Sequence, residues 1–526
     1  MDEQRRIFLA GAGQMAVLAA CAPLARAAAQ AAPGNAYPFS LGVASGSPLP
    51  NSVILWTRIL ADPLNAAATP PVAFVVRWEV AHDEAFTRIA AQGSASAVPE
   101  LAHSVHVDAT GLEAGRWYWY RFMLGDAVSP VGRTRTAPAA DSLPTMLKMA
   151  VASCQHWEFG SFAAHRHIAN AAPDLVAFLG DYIYEWGPYQ LNHPERARRV
   201  DESYSLADYR ARYAQYKSDP DLQASHRAAP WIVTWDDHEV ANDYAGDRDE
   251  RLSPTFAQRR AAAYQAFYEH MPLRVAPARR NGFGNLRIYD RFDWGRLARL
   301  HVLDDRQYRA THACQQPGKG GSSSVLRSRC HALRDSSRTM LGAEQEAWLE
   351  TGLERSEARW NFLVQQTPMA QSSQVPVSRP DDGRFWNDGW DGYPAARQRL
   401  FDTLESTRAS NPITLAGDVH TFYATDLKTD FDRPLSKQNP VIATEFCGTS
   451  VTSGSRPQAR TLQFVDMNPH VKYGRSDKRG FILMEVTPAA TKAMFVGLDD
   501  VKLAGSGATT IAQFRVEHGR PGAIRA

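Results

Sequence analysis

Between Pro38 and Pro138 the apolar positions fall in short runs that alternate with polar ones. Val53-Ile-Leu-Trp-Thr-Arg58 predicts a strand. Val72–Val80, where Arg77 and Glu79 alternate with apolar neighbours, predicts another. Leu112–Leu124 opens on a Gly-containing turn and continues as an aromatic run, Trp117-Tyr-Trp-Tyr-Arg-Phe122. Short spaced strands with a tyrosine near the last hairpin predict an all-β sandwich of fibronectin or immunoglobulin (Ig-like) type over residues 37–138. Thr134–Leu143, broken by Pro138 and Asp141, reads as a linker.

From Met146 the period changes. Apolar strand-like runs (Leu147–Ser153, Leu175–Gly180, Trp231–Trp235, Leu300–Leu303, Phe362–Gln365, Ile413–Ala416) alternate with amphipathic stretches. Those stretches, near Ser161–Asn170, Leu206–Tyr216, Thr255–His270, Ala343–Arg355 and Ala395–Glu405, predict helices, and the alternation predicts α/β layers over residues 139–526. The last hundred residues return to β-like runs such as Phe481–Val486.

With 526 residues the chain is too long for one ordinary core, which supports two domains. The net charge of +2 gives no bulk argument for a nucleic-acid partner or a membrane surface. Residues 1–36 read as an export signal. Arg5-Arg6 precede Ile7-Phe-Leu9, a short apolar Ala/Gly stretch follows, and Arg26-Ala-Ala-Ala29 offers small residues for cleavage. The arginine pair resembles a twin-arginine signal, which implies export by the twin-arginine machinery to a periplasmic or secreted destination. Leu18-Ala-Ala-Cys21 also resembles a lipoprotein box, which would lipidate Cys21; an N-terminal membrane anchor is the third alternative. No later segment has the 18 or more apolar residues of a spanning helix. In an oxidising compartment Cys314 and Cys330, which flank a Gly/Ser-rich loop, are expected to pair.

Four clusters of ionisable side chains directly follow apolar strand-like runs, the place where ligands gather in α/β sheets. They are Ala152-Ser-Cys-Gln155, Gly180-Asp-Tyr-Ile-Tyr-Glu185, Trp235-Asp-Asp-His-Glu239 and Gly417-Asp-Val-His420. Asp181 can bridge two cations, and Tyr184, three residues on, can return a phenol to the same point. Cys154 and His420 add donors suited to iron or zinc, and Asp237 and Asp418 add hard oxygen suited to calcium, magnesium or manganese. The mixture implies two unlike metals, and a cation pair of that kind activates water for in-line displacement at phosphorus.

Gly180-Asp-x-x-Tyr184 resembles the motif of purple-acid-phosphatase-like metallophosphoesterases. The ordered set, with Trp235–Tyr244, Asp304-Asp-Arg-Gln-Tyr-Arg309, Phe39–Gly46 and Leu55-Trp-Thr-Arg58, resembles the PhoD-type alkaline phosphatases over nearly the whole mature chain. That resemblance implies an exported phosphomonoesterase and phosphodiesterase, an α/β/β/α catalytic sandwich and an iron–calcium centre. By motif, Cys154, Asp181, Tyr184 and His420 would hold Fe3+. Asp181, Asp237 and Asp418 would face Ca2+, with Asn242 or Asp243 as an outer ligand. His238 would bind the substrate phosphate or protonate the leaving group. Where the wider superfamily has a further histidine, this chain has Val364-Gln-Gln-Thr-Pro368, which is compatible with calcium.

Other readings stay open. Arg306 either steers phosphate or pairs with Asp304 or Asp305. Asp236 either binds metal or pairs with an arginine. Trp386 and Trp390 either stack on substrate or pack. Phosphomonoesters, diesters, phospholipids and wall-polymer-like esters all remain candidate substrates, because loops near 190–199 and 376–391 would shape the pocket. A phospholipase D-like phosphodiesterase of the same fold, and a non-catalytic exported module held by structural calcium, are the alternative functions.

Overall fold

The computed structural model describes residues 36–188, 201–275, 282–379 and 382–526. Arg5, Arg6 and Cys21 of the leader, and the loop at 190–199, lie outside the described residues.

Two stacked sheets form the centre. In the first, Leu147–Ala152, Leu175–Phe178 and Trp231–Val233 run parallel to one another, and Gly480–Val486 joins Leu147–Ala152 antiparallel. In the second, Ala298–Val302, Trp360–Val364, Pro412–Ala416 and Val441–Cys447 run parallel. Side chains along a strand alternate in direction, so each sheet offers two apolar faces. Met149, Val151, Leu175 and Ala177 pack between the sheets against Leu300, Phe362 and Ile413. Their neighbours Ala150, Ala152, Val176 and Phe178 face outward onto helices Ala163–Ala171, Leu206–Lys217 and Phe256–His270. On the far side Leu349, Leu353, Leu400 and Phe401, from Gly342–Glu354 and Pro394–Thr407, cover the second sheet. The order of layers is helices, sheet, sheet, helices. Leu206–Lys217 begins on a capping box, Ser205 with Asp208, which satisfies its first free N–H groups.

The predicted strands and helices appear within a few residues of the expected bounds. The linker begins later than the sequence suggests, because Thr134 and Arg135 belong to the strand Gly132–Arg135. Helices Pro220–Ala228 and Gln458–Met467 were not legible in the apolar pattern. The Cys314–Cys330 disulfide is present. Among the described residues no helix is long and apolar enough to cross a membrane.

The N-terminal β-region packs Val53, Leu55, Val105 and Val107 against Val76, Val80, Tyr120 and Phe122. It does not stand apart. Val43–Leu49, Ser52–Arg58 and Ser104–Thr110 continue the first central sheet into a ten-stranded one, through a parallel bridge between Gly46 and Trp231. Glycine is required there: a Cβ on Gly46 would lie 2.6 Å from the carbonyl oxygens of both Trp231 and Pro272. Gly46→Ala should therefore destabilise the chain by roughly 1–3 kcal/mol, read as a lower urea midpoint; an unchanged midpoint would show that the bridge does not join the regions.

Candidate metal-binding active site

The loops after Leu147–Ala152, Leu175–Phe178, Trp231–Val233 and Pro412–Ala416 meet at one edge. Cys154 N–H donates to the Gly180 carbonyl at 3.1 Å, and Gln155 N–H to the Asp181 carbonyl at 3.0 Å. Gly417 brings the second sheet's loop against the first, since a Cβ there would lie 2.5 Å from Ser153 Oγ. The turns are tight enough to force non-glycine residues into the left-handed region: Cys154 at φ +61°, Asp181 at +55°, Asp418 at +62° and His420 at +55°. Each costs about 1–3 kcal/mol, strain of the kind that gathers at functional sites.

Three groups of potential ligand atoms result, each with its atoms within 4.8 Å of one another: Cys154, Asp181 and His420; Asp181, Asp237 and His238; Asp236, Asp237 and Asp418. Tyr184 Oη donates to Asp181 Oδ2 at 2.8 Å and lies 3.2 Å from His420 Nε2. Ser453 Oγ donates to the same phenol at 2.7 Å. His420 Nδ1 sits 2.6 Å from the Gly454 carbonyl, which turns Nε2 toward Asp181. Around Asp237, His238 Nδ1 is 2.7 Å from Glu185 Oε2, and the Asn242 N–H donates to Glu185 Oε1 at 2.7 Å.

The charge is strongly unbalanced. Arg306, fully buried, donates through Nε to Asp236, at 2.8 Å to Asp388 Oδ2 and at 3.2 Å to Asp418 Oδ1, and lies 3.6 Å from Asp237 Oδ1. Even so, burial drives the Asp236, Asp237 and Asp418 carboxyls up against its pull. Burial, then Asp181, pushes the Cys154 thiol well above its ordinary value. Burial opposes a charged His238, yet Asp237, Glu185 and Asp181 hold that ring well above the usual histidine value.

Asp181 Oδ1, Asp236 Oδ2 and Asp237 Oδ1 are buried and accept no hydrogen bond. Buried carboxylate oxygens without a partner are costly unless a cation joins them. The donor set, thiol, phenol and imidazole at one end and carboxylates at the other, fits metal ions.

Comparison with known proteins points the same way. Residues 149–495 match the model of the PhoD-like phosphatases, and residues 25–138 match that of their N-terminal domain. Alkaline phosphatase D of Bacillus subtilis (strain 168) is 43% identical over 523 residues, 97% of this chain and 87% of that protein. The chain belongs to the PhoD-like phosphatase family. A solved structure of PhoD aligns with a TM-score of 0.87 at 42% identity, over 94% of this chain and 92% of the other. Purple acid phosphatase PPD1 from yellow lupin seeds, 12% identical, shares the fold at a TM-score of 0.53 over 91% of this chain and 74% of its own. As a PhoD-like phosphatase the chain is a phosphoric ester hydrolase, and three groups of its own side chains could hold metal ions.

Within this family member Cys154, Asp181, Tyr184, Asp237, His238, Asp418 and His420 all converge. Asn242 lines the same cleft, and its side-chain amide donates to Glu250 Oε2 at 3.3 Å. The Arg306 side chain pairs with Asp236, Asp388 and Asp418 rather than with Asp304 or Asp305, and of these partners Asp418 lines the cleft. Asp236 is that arginine's partner. Trp390 is buried and donates Nε1–H to Gln365 at 2.7 Å, so it packs, while Trp386 is half exposed on the cleft.

Three participants, Glu185, Glu239 and Asp388, had no role assigned from sequence. Glu185 fixes His238, and Ser453, which lines the cleft, holds Tyr184. Glu239 Oε2 accepts the Asp181 and Asp236 N–H groups at 3.0 and 2.8 Å. Asp388 accepts from Arg306 and Arg309, which hold its carboxyl well below the carboxylate range despite burial. Glu185 and Glu239 lay within recognised motifs; Asp388 carried no local signal.

Glu445 borders the cleft and accepts the Met369 and Ala370 N–H groups, and burial pushes its carboxyl from 4.5 up to about 7. The folded chain keeps that proton to about pH 7, whereas the unfolded chain releases it near 4.5. Unfolded chains thus bind fewer protons in this window, and stability from this group falls by about 3 kcal/mol as pH rises across it, then levels. Glu445→Gln should flatten that part of the thermal midpoint–pH curve; an unaltered slope would refute the assignment.

Proposed function

We propose that this PhoD-like phosphatase is an exported alkaline phosphatase that hydrolyses phosphate mono- and diesters at a mixed iron–calcium centre. The observation that carries this reading is the meeting of Cys154, Asp181 and His420 with the three orphaned carboxylate oxygens of Asp181, Asp236 and Asp237. Cys154, Asp181, Tyr184 and His420 would hold Fe3+, since thiolate and phenolate are its partners in this donor set. Asp181, Asp237 and Asp418, with Asn242 outside them, would hold Ca2+, which takes oxygen ligands. Bound cations there supply a water with its pKa lowered toward about 7 and neutralise charge gathering on phosphoryl oxygens.

The chain's own groups then have distinct tasks. Asp181 spans both donor groups and fixes their separation. Glu185 holds Nδ1 of His238, which leaves Nε2 for the cleft that the ring lines; there the imidazole gives a proton to the departing oxygen. Arg306, fully buried, keeps Asp236, Asp237 and Asp418 aligned. The cleft of about 980 Å³ is far larger than one phosphate needs, which favours esters with two substituents. Family membership leaves the non-catalytic calcium module without support.

We read residues 37–138 and 139–526 as two domains joined through a shared sheet. The Tyr118 hydroxyl accepts the Glu113 N–H at 2.8 Å, a bond like the tyrosine corner of Ig-like sandwiches. Residues 1–36 are read as the twin-arginine signal.

His238→Ala should lower kcat for a chromogenic phosphodiester by about 10²–10⁴-fold while leaving the circular dichroism spectrum intact. Asp181→Asn should lose metal and activity together, by more than about 100-fold. Full turnover in either variant would defeat the assignment.

A further inference from the structure

Residues 448–454 follow the strand Val441–Cys447 and bond to the thiol, phenol and imidazole end of the site. The Thr452 and Ser453 N–H groups donate to the Cys154 carbonyl at 3.3 and 3.2 Å. The Ser453 hydroxyl donates to the Tyr184 phenol, and the Gly454 carbonyl meets His420 Nδ1. A buried guanidinium gathers this loop. Arg479 Nη1 lies 2.7 Å from the Ser453 carbonyl, 2.9 Å from Ser450 Oγ and 3.2 Å from the His420 carbonyl, while Nη2 donates to the Ser476 carbonyl. One nitrogen thus ties the loop that carries His420 to the loop that fixes its imidazole. Arg479 is itself held firmly. It directly precedes the central strand Gly480–Val486, its carbonyl accepts the Leu498 N–H at 2.8 Å, and a Cβ on Gly480 would collide with the Val496 carbonyl. Its charge is met differently from that of Arg306. Arg479 is 8% exposed, bonds only to neutral oxygens, and has no carboxylate within 4 Å among the described residues. The negative groups that act on it are Asp477, already paired with Arg475 at 2.8 Å, and Cys154 as a thiolate.

We propose that Arg479 is a positioning residue of the iron side of the centre. It holds the His420 loop and the 450–454 loop together, so that Cys154, Tyr184 and His420 face one cation. The inference rests on the iron reading above and names a residue which that reading leaves out. The chemistry matches. A ligating histidine is aimed by the bond its other ring nitrogen makes, and groups that fix such bonds govern metal affinity from outside the ligand set. A planar guanidinium reaches several carbonyls at once in a fixed geometry, which suits it to join two loops. A buried cation with no counter-ion is costly alone. Beside thiolate and phenolate donors that cost falls, so Arg479 and the anionic donors support one another.

The test follows iron release from the purified holoenzyme to a hydroxamate chelator, beside kcat and KM for bis(4-nitrophenyl) phosphate. Arg479→Gln keeps a donor but removes the fork and the charge. It should release iron about 10–100-fold faster than the wild type and lower kcat with KM little changed. Arg479→Lys, which keeps the charge, should recover part of the retention. Ser450→Ala removes one acceptor of Nη1 and should move release the same way by a smaller factor; it decides alone if neither arginine variant folds. Val53→Ala opens a cavity in the N-terminal β-region, lowers stability there, and should hold iron as the wild type does. Release at the wild-type rate from Arg479→Gln or, where that chain does not fold, from Ser450→Ala overturns the positioning role and leaves the iron reading intact. Equally fast release from Val53→Ala does the same, since lost stability would then be the cause. A wild-type chain that hydrolyses the ester while holding no iron overturns both.

Discussion

Repulsion among buried carboxylates is the constraint on which this structure turns. Asp181, Asp236, Asp237, Asp388, Glu185 and Glu239 are buried around one point, with Asp418 at its edge. Two like charges 4 Å apart repel by about 4 kcal/mol even at an effective dielectric near 20. Part of the charge is met internally. Arg306 lies against Asp236, Asp237, Asp388 and Asp418, His238 meets Glu185, and backbone N–H groups converge on Glu239. What is left falls on Asp181 and Asp237, each of which keeps a buried carboxylate oxygen that accepts no hydrogen bond. The chain is built so that cations complete it.

The layered fold explains how such an unfavourable cluster persists. Large apolar faces between and outside the sheets drive folding, and the loops at one edge accept the strain that results. Four candidate ligands in left-handed backbone, and glycines 180 and 417 at points where a Cβ would collide with Asp236 and Ser153, show how little room those loops have. The N-terminal β-region shares in this scaffold. Its strands lengthen the first central sheet, and Trp56 donates its indole N–H to the Glu269 carbonyl of a covering helix at 3.0 Å.

Much of this was legible in the sequence, for physical reasons. The parallel strands are buried on both faces and read as unbroken apolar runs, so the residues following them stood out. That was enough to find Cys154, Asp181, Tyr184, Asp237, His238, Asp418 and His420. Arg306 was visible beside Asp304 and Asp305, but its partners lie 70 to 112 positions away, and local sequence favours near neighbours. Asp388 follows a three-residue strand, and the joining of the β-region to the central sheet rests on one bridge at Gly46; neither leaves a periodic trace. Glu185 and Glu239 were in view as motif members, yet only geometry shows that one orients an imidazole and the other ties down three loop amides.

Metal content decides the matter most directly. Elemental analysis of the purified chain by plasma mass spectrometry, after exhaustive dialysis at neutral pH, should find at least two tightly held cations per chain, iron among them. A folded, active chain holding less than one cation would show that the carboxylate cluster is balanced by protons and arginine alone, and that cations do not complete the site.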